Sequence, residues 1–293
     1  MKVLIAAADL EDGQLAAKFA GTWLPRKNCT LYVVHVVEPA AVLSDLALTI
    51  FTDWKRRAMD KAQRLVGRLA GSLTSRESRA RGVVLEGKAT TALLQFIGDH
   101  GVDTTIVTPR ATSRGTRFLL GSVSEALLHH SPTSIVIVRA ARRTLKRRAV
   151  LIGVDGSPEA QKTARHLLML HPLSRCRIIL AYVEEPPDSV LDRMSRSSLD
   201  VPLAIQRAKE VRNRRVRGYL DRIEELFGTR GHTVEKIIIE GRPAAQILAL
   251  ANRYRTDLIV LGSRRLGPFE RYALGSVSSK VARHAACSVL VVK

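Results

Sequence analysis

The chain writes one ending twice. Residues 120–139 read LGSVSEALLHHSPTSIVIVR, and residues 274–293 read LGSVSSKVARHAACSVLVVK. Further matches keep the same spacing of 154: Asp103 with Asp257, Gly87 with Gly241, and the aliphatic run from Ser134 with that from Ser288. Towards the start of each copy the spacing shrinks, to 147 for His35 and Tyr182 and to 146 for Asp9 and Asp155. Short insertions, mostly in the middle of the second copy, account for the change. A duplicated unit is the economical reading of such self-similarity, and 293 residues suit two domains.

Each copy alternates short aliphatic runs with segments of helical period. The runs at 2–8 and 149–154 have no polar alternation, which marks strands covered on both faces. Helices are expected at 12–24 and 158–170, with Ser157 as N-cap and Pro158 as first helical residue of the second. Second strands follow at 29–37 and 176–183, then long helical patterns at 53–73 and 203–227. Third strands are expected at 80–86 and 233–239, helices from Thr90 and Pro243, and fourth strands at 103–107 and 257–261. A helix opening at Gly-Ser and a fifth strand, 134–138 or 288–292, close each copy. The reading is α/β: two tandem doubly wound parallel five-stranded sheets with helices on both faces. The domains are expected at 1–140 and 149–293, with RAARRTLKRRA as linker. The two closing strands are expected at the interface between halves, where each covers an edge.

Composition narrows the function. No apolar run approaches the roughly 20 residues of a membrane-spanning helix, and the first strand is too short for a convincing secretory signal. Cys29, Cys176 and Cys287 are far apart, so packing thiols in a reducing cytoplasm are expected rather than a disulfide framework or zinc site. The net charge is +20, divided as +9 up to Lys146 and +11 beyond it. Such charge favours polyanionic partners or reflects an arginine-rich background. Aromatics are few and not interleaved with the basic residues, which counts against nucleic acid. His129, His130 and His284 are read as solvated or capping residues near helix ends, and the GSVS serines as lacking a base.

Ligands of such sheets bind outside the carboxyl ends of the strands, where strand order reverses. Asp9 and Asp155 follow first strands, Val36 and Val183 close second strands, and a glycine-containing loop leads to Gly275 and Ser276 at a helix N-terminus. AVLIGVDGSPEA and GRPAAQILALANRYRTDLIVLGSRRLGPFERYALGSVSSKVARHAACSVLVVK together resemble a universal stress protein domain. VLIAAADL, LYVVHVVEP, VDTTIVTP and LLGSVSEALLHHSPTSIVIV extend a looser resemblance over the first copy.

The resemblance implies a tandem universal stress protein: a cytoplasmic, non-enzymatic stress-response or regulatory protein that binds ATP, with Mg2+ as companion ion. The alternatives are a ligand-free scaffold or adaptor and a slow ATPase. It further implies Asp155 for ribose or metal, Val183 for the adenine edge, and Gly262, Gly275 and Ser276 for the phosphates, with Val277 and Ser278 beside them. Arg265 stands where the family's second loop glycine belongs, either blocking the loop or clamping the phosphates. The first copy keeps Asp9, Val36, Gly121 and Ser122, but has Thr108 and Ala111 at the loop glycines, Pro109 between them, and Leu10-Glu11 after its aspartate. It is read as the degenerate copy, so that one nucleotide at most binds, in the C-terminal half. No residue is assigned as a metal ligand. The expected partners are a nucleotide and an unidentified protein, with the halves forming an intrachain pseudo-dimer and the whole chain a possible homodimer.

Overall fold

The computed structural model describes residues 1–25, 27–39, 47–75, 78–109, 120–140, 148–170, 176–185, 201–228, 232–263 and 274–293. The first unit runs β1 (Lys2–Ala6), α1 (Leu10–Trp23), β2 (Cys29–Val37), α2 (Ala47–Leu73), β3 (Ser78–Glu86), α3 (Ala89–His100), β4 (Thr104–Val107), α4 (Ser122–His130) and β5 (Ser134–Ile137). The second repeats the order with β6 (Ala149–Val154), α5 (Glu159–Leu170), β7 (Arg177–Glu184), α6 (Val201–Gly228), β8 (Thr233–Glu240), α7 (Pro243–Arg253), β9 (Leu258–Gly262), α8 (Ser276–His284) and β10 (Ser288–Val292). The α/β class and the two repeated units are as expected.

The pleat divides the apolar residues between two cores. Val3, Ile5, Val150 and Ile152 point to the face covered by α1, α2, α5 and α6; Leu4 and Leu151 point to the face covered by α3, α4, α7 and α8. Both faces of the inner strands are covered, which is why β1 and β6 carry no polar alternation.

Several helix starts differ from expectation: α2 begins at Ala47 rather than at 53, and two others have a local cause. Asp9 is the N-cap of α1, its carboxylate accepting the Asp12 N–H at 2.9 Å, so the helix begins at Leu10. In the second unit Ser157 spends its hydroxyl on Asp155 Oδ1 at 2.6 Å, and α5 begins only at Glu159. The side-chain bond that would make Ser157 an N-cap is thus directed backwards.

Strand order is β3-β2-β1-β4-β5-β10-β9-β6-β7-β8. Each unit is a parallel doubly wound sheet, but the two form one ten-stranded sheet rather than separate ones. The closing strands make the join: β5 and β10 pair antiparallel, with Leu290 opposite Val136. The expectation for these strands is met in the register.

The join is reciprocal. Arg139 Nη2 donates to the Ala282 carbonyl at 2.7 Å, and Lys293 Nζ donates to the Leu128 carbonyl at 2.9 Å. Arg139 N–H reaches Ser288 Oγ at 3.1 Å, and Lys293 N–H reaches Ser134 Oγ at 3.4 Å. Leu128 and Ala282, like Ser134 and Ser288, are equivalent positions of the repeat. Each unit therefore caps the last helix of the other with a cation, where the helix dipole favours one. Arg139 belongs to this contact, and Ala149 opens β6, so both ends of the expected linker are structural.

One cross-unit ion pair has no twin. Arg283 donates to Glu125 through Nε at 3.1 Å and through Nη2. That hydrogen bond, foremost, holds the Glu125 carboxyl below the usual carboxylate range. A depressed carboxyl contributes stability that is present above its unfolded pKa of roughly 4.3 and is lost as pH falls through the folded value. Glu125→Gln should therefore lower the thermal midpoint at pH 7, and the gap from wild type should close under acid. A gap that persists in acid would show that the pair's charge is not what Glu125 contributes.

Candidate functional site

The second unit reverses strand order between β6 and β9. The chain leaves β6 for α5 on one face and leaves β9 for α8 on the other, opening a crevice at the carboxyl edge. Asp155 stands at the end of β6, exposed, with Oδ1 accepting the Ser157 N–H at 3.0 Å as well as the Ser157 hydroxyl. Gly156 makes this turn at φ +80°, in the left-handed region that suits glycine.

Tyr219 of α6 donates its hydroxyl to the Ser157 carbonyl. Burial, with the carboxylates of Asp155 and Glu159, pushes its phenol up to about 12, so it stays a protonated donor. The aspartate turn is thus held from outside as well as from within.

Val183, half-buried, closes β7 beside Glu184, which is 5% exposed. Arg212 of α6 pairs with the Glu184 carboxylate. This pair ties the long helix to the carboxyl edge of the sheet. At the end of β9 a Cβ on Gly262 would come within 3.2 Å of Thr163 Oγ1, a tight contact that favours glycine.

The N-terminus of α8 is bare of side-chain caps. Gly275 is its extended N-cap, and the first turn carries no acid. Ser278, buried, turns its hydroxyl back to donate to the Gly275 carbonyl at 3.0 Å, while Ser276 is exposed and Val277 half-buried. The first-turn amides are therefore the donors available to an anion. Arg265 lies outside the described residues.

In the first unit the four weaker candidates come together. Asp9, Val36, Gly121 and Ser122 all line one cavity of about 780 Å3. The N-terminus of α4 also lacks a side-chain cap, but Glu125 sits in its first turn. Thr108 occupies the Gly262 position, buried, with its carbonyl accepting from Ser124 Oγ at 3.2 Å. His35 directs ring Nδ1 to the Ala7 carbonyl at 2.7 Å. Ala111 lies outside the described residues.

Sequence reasoning missed the basic wall of this cavity, Lys61, Arg64 and Arg68 of α2. Their spacing of three and four was the available signal for a shared helix face. It also missed a carboxylate for His129: Glu125, one turn earlier, meets His129 Nε2 at 3.1 Å. His284 directs Nδ1 to the Lys280 carbonyl of its own helix at 2.8 Å.

The donors suit a nucleotide: bare amides for phosphates, a carboxylate at the strand end for ribose hydroxyls, and small residues between. They do not form a metal site by themselves. Among the described residues no three His, Cys, Asp or Glu side chains gather to hold an ion. No described helix is long and apolar enough to cross a membrane.

Comparison with known proteins agrees with the duplicated fold. The model of the Universal stress protein family matches residues 1–139 and again 146–293. A universal stress protein of Mycobacterium tuberculosis is 24% identical over 300 residues, covering 99% of this chain and 96% of its own length. One from Thermus aquaticus is 31% identical over 147 residues, covering 50% of this chain and 98% of its own. The crystal structure of a universal stress protein from Archaeoglobus fulgidus superposes with a TM-score of 0.67 at 21% identity, covering 100% of this chain and 98% of that one.

The Glu184–Arg212 pair gives a prediction about the site's frame. Glu184 is buried whereas Arg212 keeps 42% of its side chain exposed. Arg212→Ala should destabilise the protein by about 1–3 kcal/mol, the cost of leaving a buried polar group unsatisfied. Adding Glu184→Leu should recover most of that loss, because both partners are then apolar. Urea denaturation of wild type, single and double variants measures both steps. No recovery in the double variant would show that the pair is not the source of the loss.

Proposed function

The chain belongs to the universal stress protein family, and from that premise we propose that it is a non-enzymatic stress-response protein that binds an adenine nucleotide, ATP, at the switch point of its second unit. The observation that carries this reading is the meeting of Asp9, Val36, Gly121 and Ser122 around one cavity in the first unit. Asp155, Val183, Gly275 and Ser276 are their counterparts in the repeat, with Gly262 where the first has Thr108. The first-turn amides of α8 would take the phosphates, Asp155 the ribose, and the backbone at Val183 the adenine edge. Arg265 would add countercharge.

In this reading the nucleotide is held rather than turned over. Phosphate release above background would favour a slow ATPase instead. The two units are read as the covalent counterpart of a dimer of single units, the length covered by the Thermus aquaticus relative. The cytoplasm is the compartment proposed.

The first-unit cavity, with its basic wall of Lys61, Arg64 and Arg68, favours a second reading in which that unit takes the nucleotide. Ser276 and Ser122 are equivalent, exposed first residues of their helices. Glutamate there suits a helix N-terminus yet repels a phosphate. Ser276→Glu should weaken ATP at least tenfold, about 1.4 kcal/mol, and Ser122→Glu should leave it unchanged. The reverse pattern would select the first unit, and no heat from wild type in titration calorimetry would select the ligand-free scaffold. If Arg265 clamps the phosphates, Arg265→Ala should cost about 1.5–3 kcal/mol of ATP affinity. If it blocks the loop, Arg265→Gly should tighten binding.

A further inference from the structure

The described residues enclose another cavity, of about 800 Å3, where the two units meet. It opens at the amino ends of β6, β9 and β10, the edge opposite the second unit's candidate site. α1 supplies Lys18, Phe19 and Trp23, the end of β5 supplies Arg139, and the turn after α7 supplies Arg255 and Asp257.

The charge around it is one-sided. Lys18, Arg139, Arg148 and Arg255 line the cavity, against Asp257 as the one acid among its described residues. Asp257 is already committed: its Oδ2 accepts the Ala149 N–H at 2.9 Å, and burial raises its carboxyl. The walls between the cations are apolar, with Leu15, Phe19, Leu248 and Ala251.

Arg139 is the unusual member. Its Nη2 caps α8 at the Ala282 and Arg283 carbonyls, 2.7 and 3.3 Å away. Its Nε and Nη1 find no acceptor among the described residues. Burial lowers the guanidinium to about 10, against a smaller opposing effect of the Cys287 thiol. The reciprocal cap on α4 is made by a lysine, Lys293, so capping does not by itself call for a guanidinium. A buried cation without a counter-anion is costly unless something neutralises it.

We propose that this junction cavity binds a small organic oxyanion, a phosphate or carboxylate group on an apolar body, with Arg139 as anchoring cation and Lys18 and Arg255 adding charge. The cavity lies within the range of about 300–1,000 Å3 typical of small-molecule sites. Its occupant touches α1 of the first unit and the α7–β9 turn of the second, so it fastens the units together. This site is separate from the nucleotide site proposed above and does not depend on it.

The chain has two tryptophans, Trp23 in this cavity and Trp54 in the first-unit cavity. In a Trp54→Phe background the fluorescence therefore reports on Trp23 alone. Titration with phenyl phosphate and with benzoate should give a saturable change with a Kd in the millimolar range or tighter. Saturating ATP should leave it in place. Tighter phenyl phosphate would assign a phosphate ligand, and tighter benzoate a carboxylate. Arg139→Gln should weaken the better probe at least tenfold. Should that variant fail to fold, the exposed pair Lys18→Gln and Arg255→Gln, expected to weaken it several-fold, decides. A lack of saturable change with either probe, equal binding by the folded variants, or displacement by ATP would each overturn the proposal.

Discussion

The antiparallel pairing of β5 with β10 is the contact on which the rest depends. A doubly wound unit that ends on its fifth strand leaves an edge of unpaired N–H and C=O groups, here flanked by fully buried Val, Ile and Leu side chains. Pairing the two closing strands removes both edges at once and fuses the cores into one above and one below the sheet. The direction of pairing also fixes what lies across the join. Antiparallel strands bring the end of each unit beside the last helix of the other, which is why Arg139 and Lys293 reach equivalent carbonyls. The outer edges are β3 and β8, far from the join, and each carries exposed residues along its length.

The same topology sets the candidate sites. Parallel order sends every strand's carboxyl end to one edge of its unit, and the reversal at β1/β4 or β6/β9 leaves a gap between helices on opposite faces. What fills the gap is local chemistry. In the second unit Asp155 is braced by Ser157, Ser157 by Tyr219, and Glu184 by Arg212, so α6 is tied to the crevice at two points. In the first unit Val37 stands where Glu184 does, and α2 contributes Lys61, Arg64 and Arg68 to an open cavity.

Much of this was legible because it follows from single-residue physics. Short aliphatic runs without polar alternation, rich in β-branched residues, suit strands buried on both faces, and β1, β2, β6 and β7 fall where those runs are. The repeat spacing of 154 matches Leu128 with Ala282 and Ser134 with Ser288 in sequence, and each pair takes equivalent bonds across the join. What escaped depends on geometry between elements. Ser157 looked like an N-cap because its type and position fit, but Asp155 two residues earlier competes for its hydroxyl. The linker looked continuous because it is uniformly basic, yet Arg139 leaves that run to cap a helix of the other unit. Glu125 was visible four residues before His129, whereas its bond to Arg283 crosses 158 positions and only the join reveals it.

A covalent pair of units has a freedom that two identical subunits lack. In a symmetric dimer every substitution appears twice, so a residue that suits one site must be tolerated in the other. Here the equivalent positions have parted: Gly262 and Thr108 at the loop, Glu184 and Val37 beneath it, Arg139 and Lys293 at the helix caps. Each difference changes charge, bulk or hydrogen-bonding capacity where a ligand would feel it, while the strands that build the join stay alike. Selection on the join is selection for packing, which many aliphatic residues satisfy. The carboxyl edges and the junction cavity instead present individual donors and charges, and there the two halves differ.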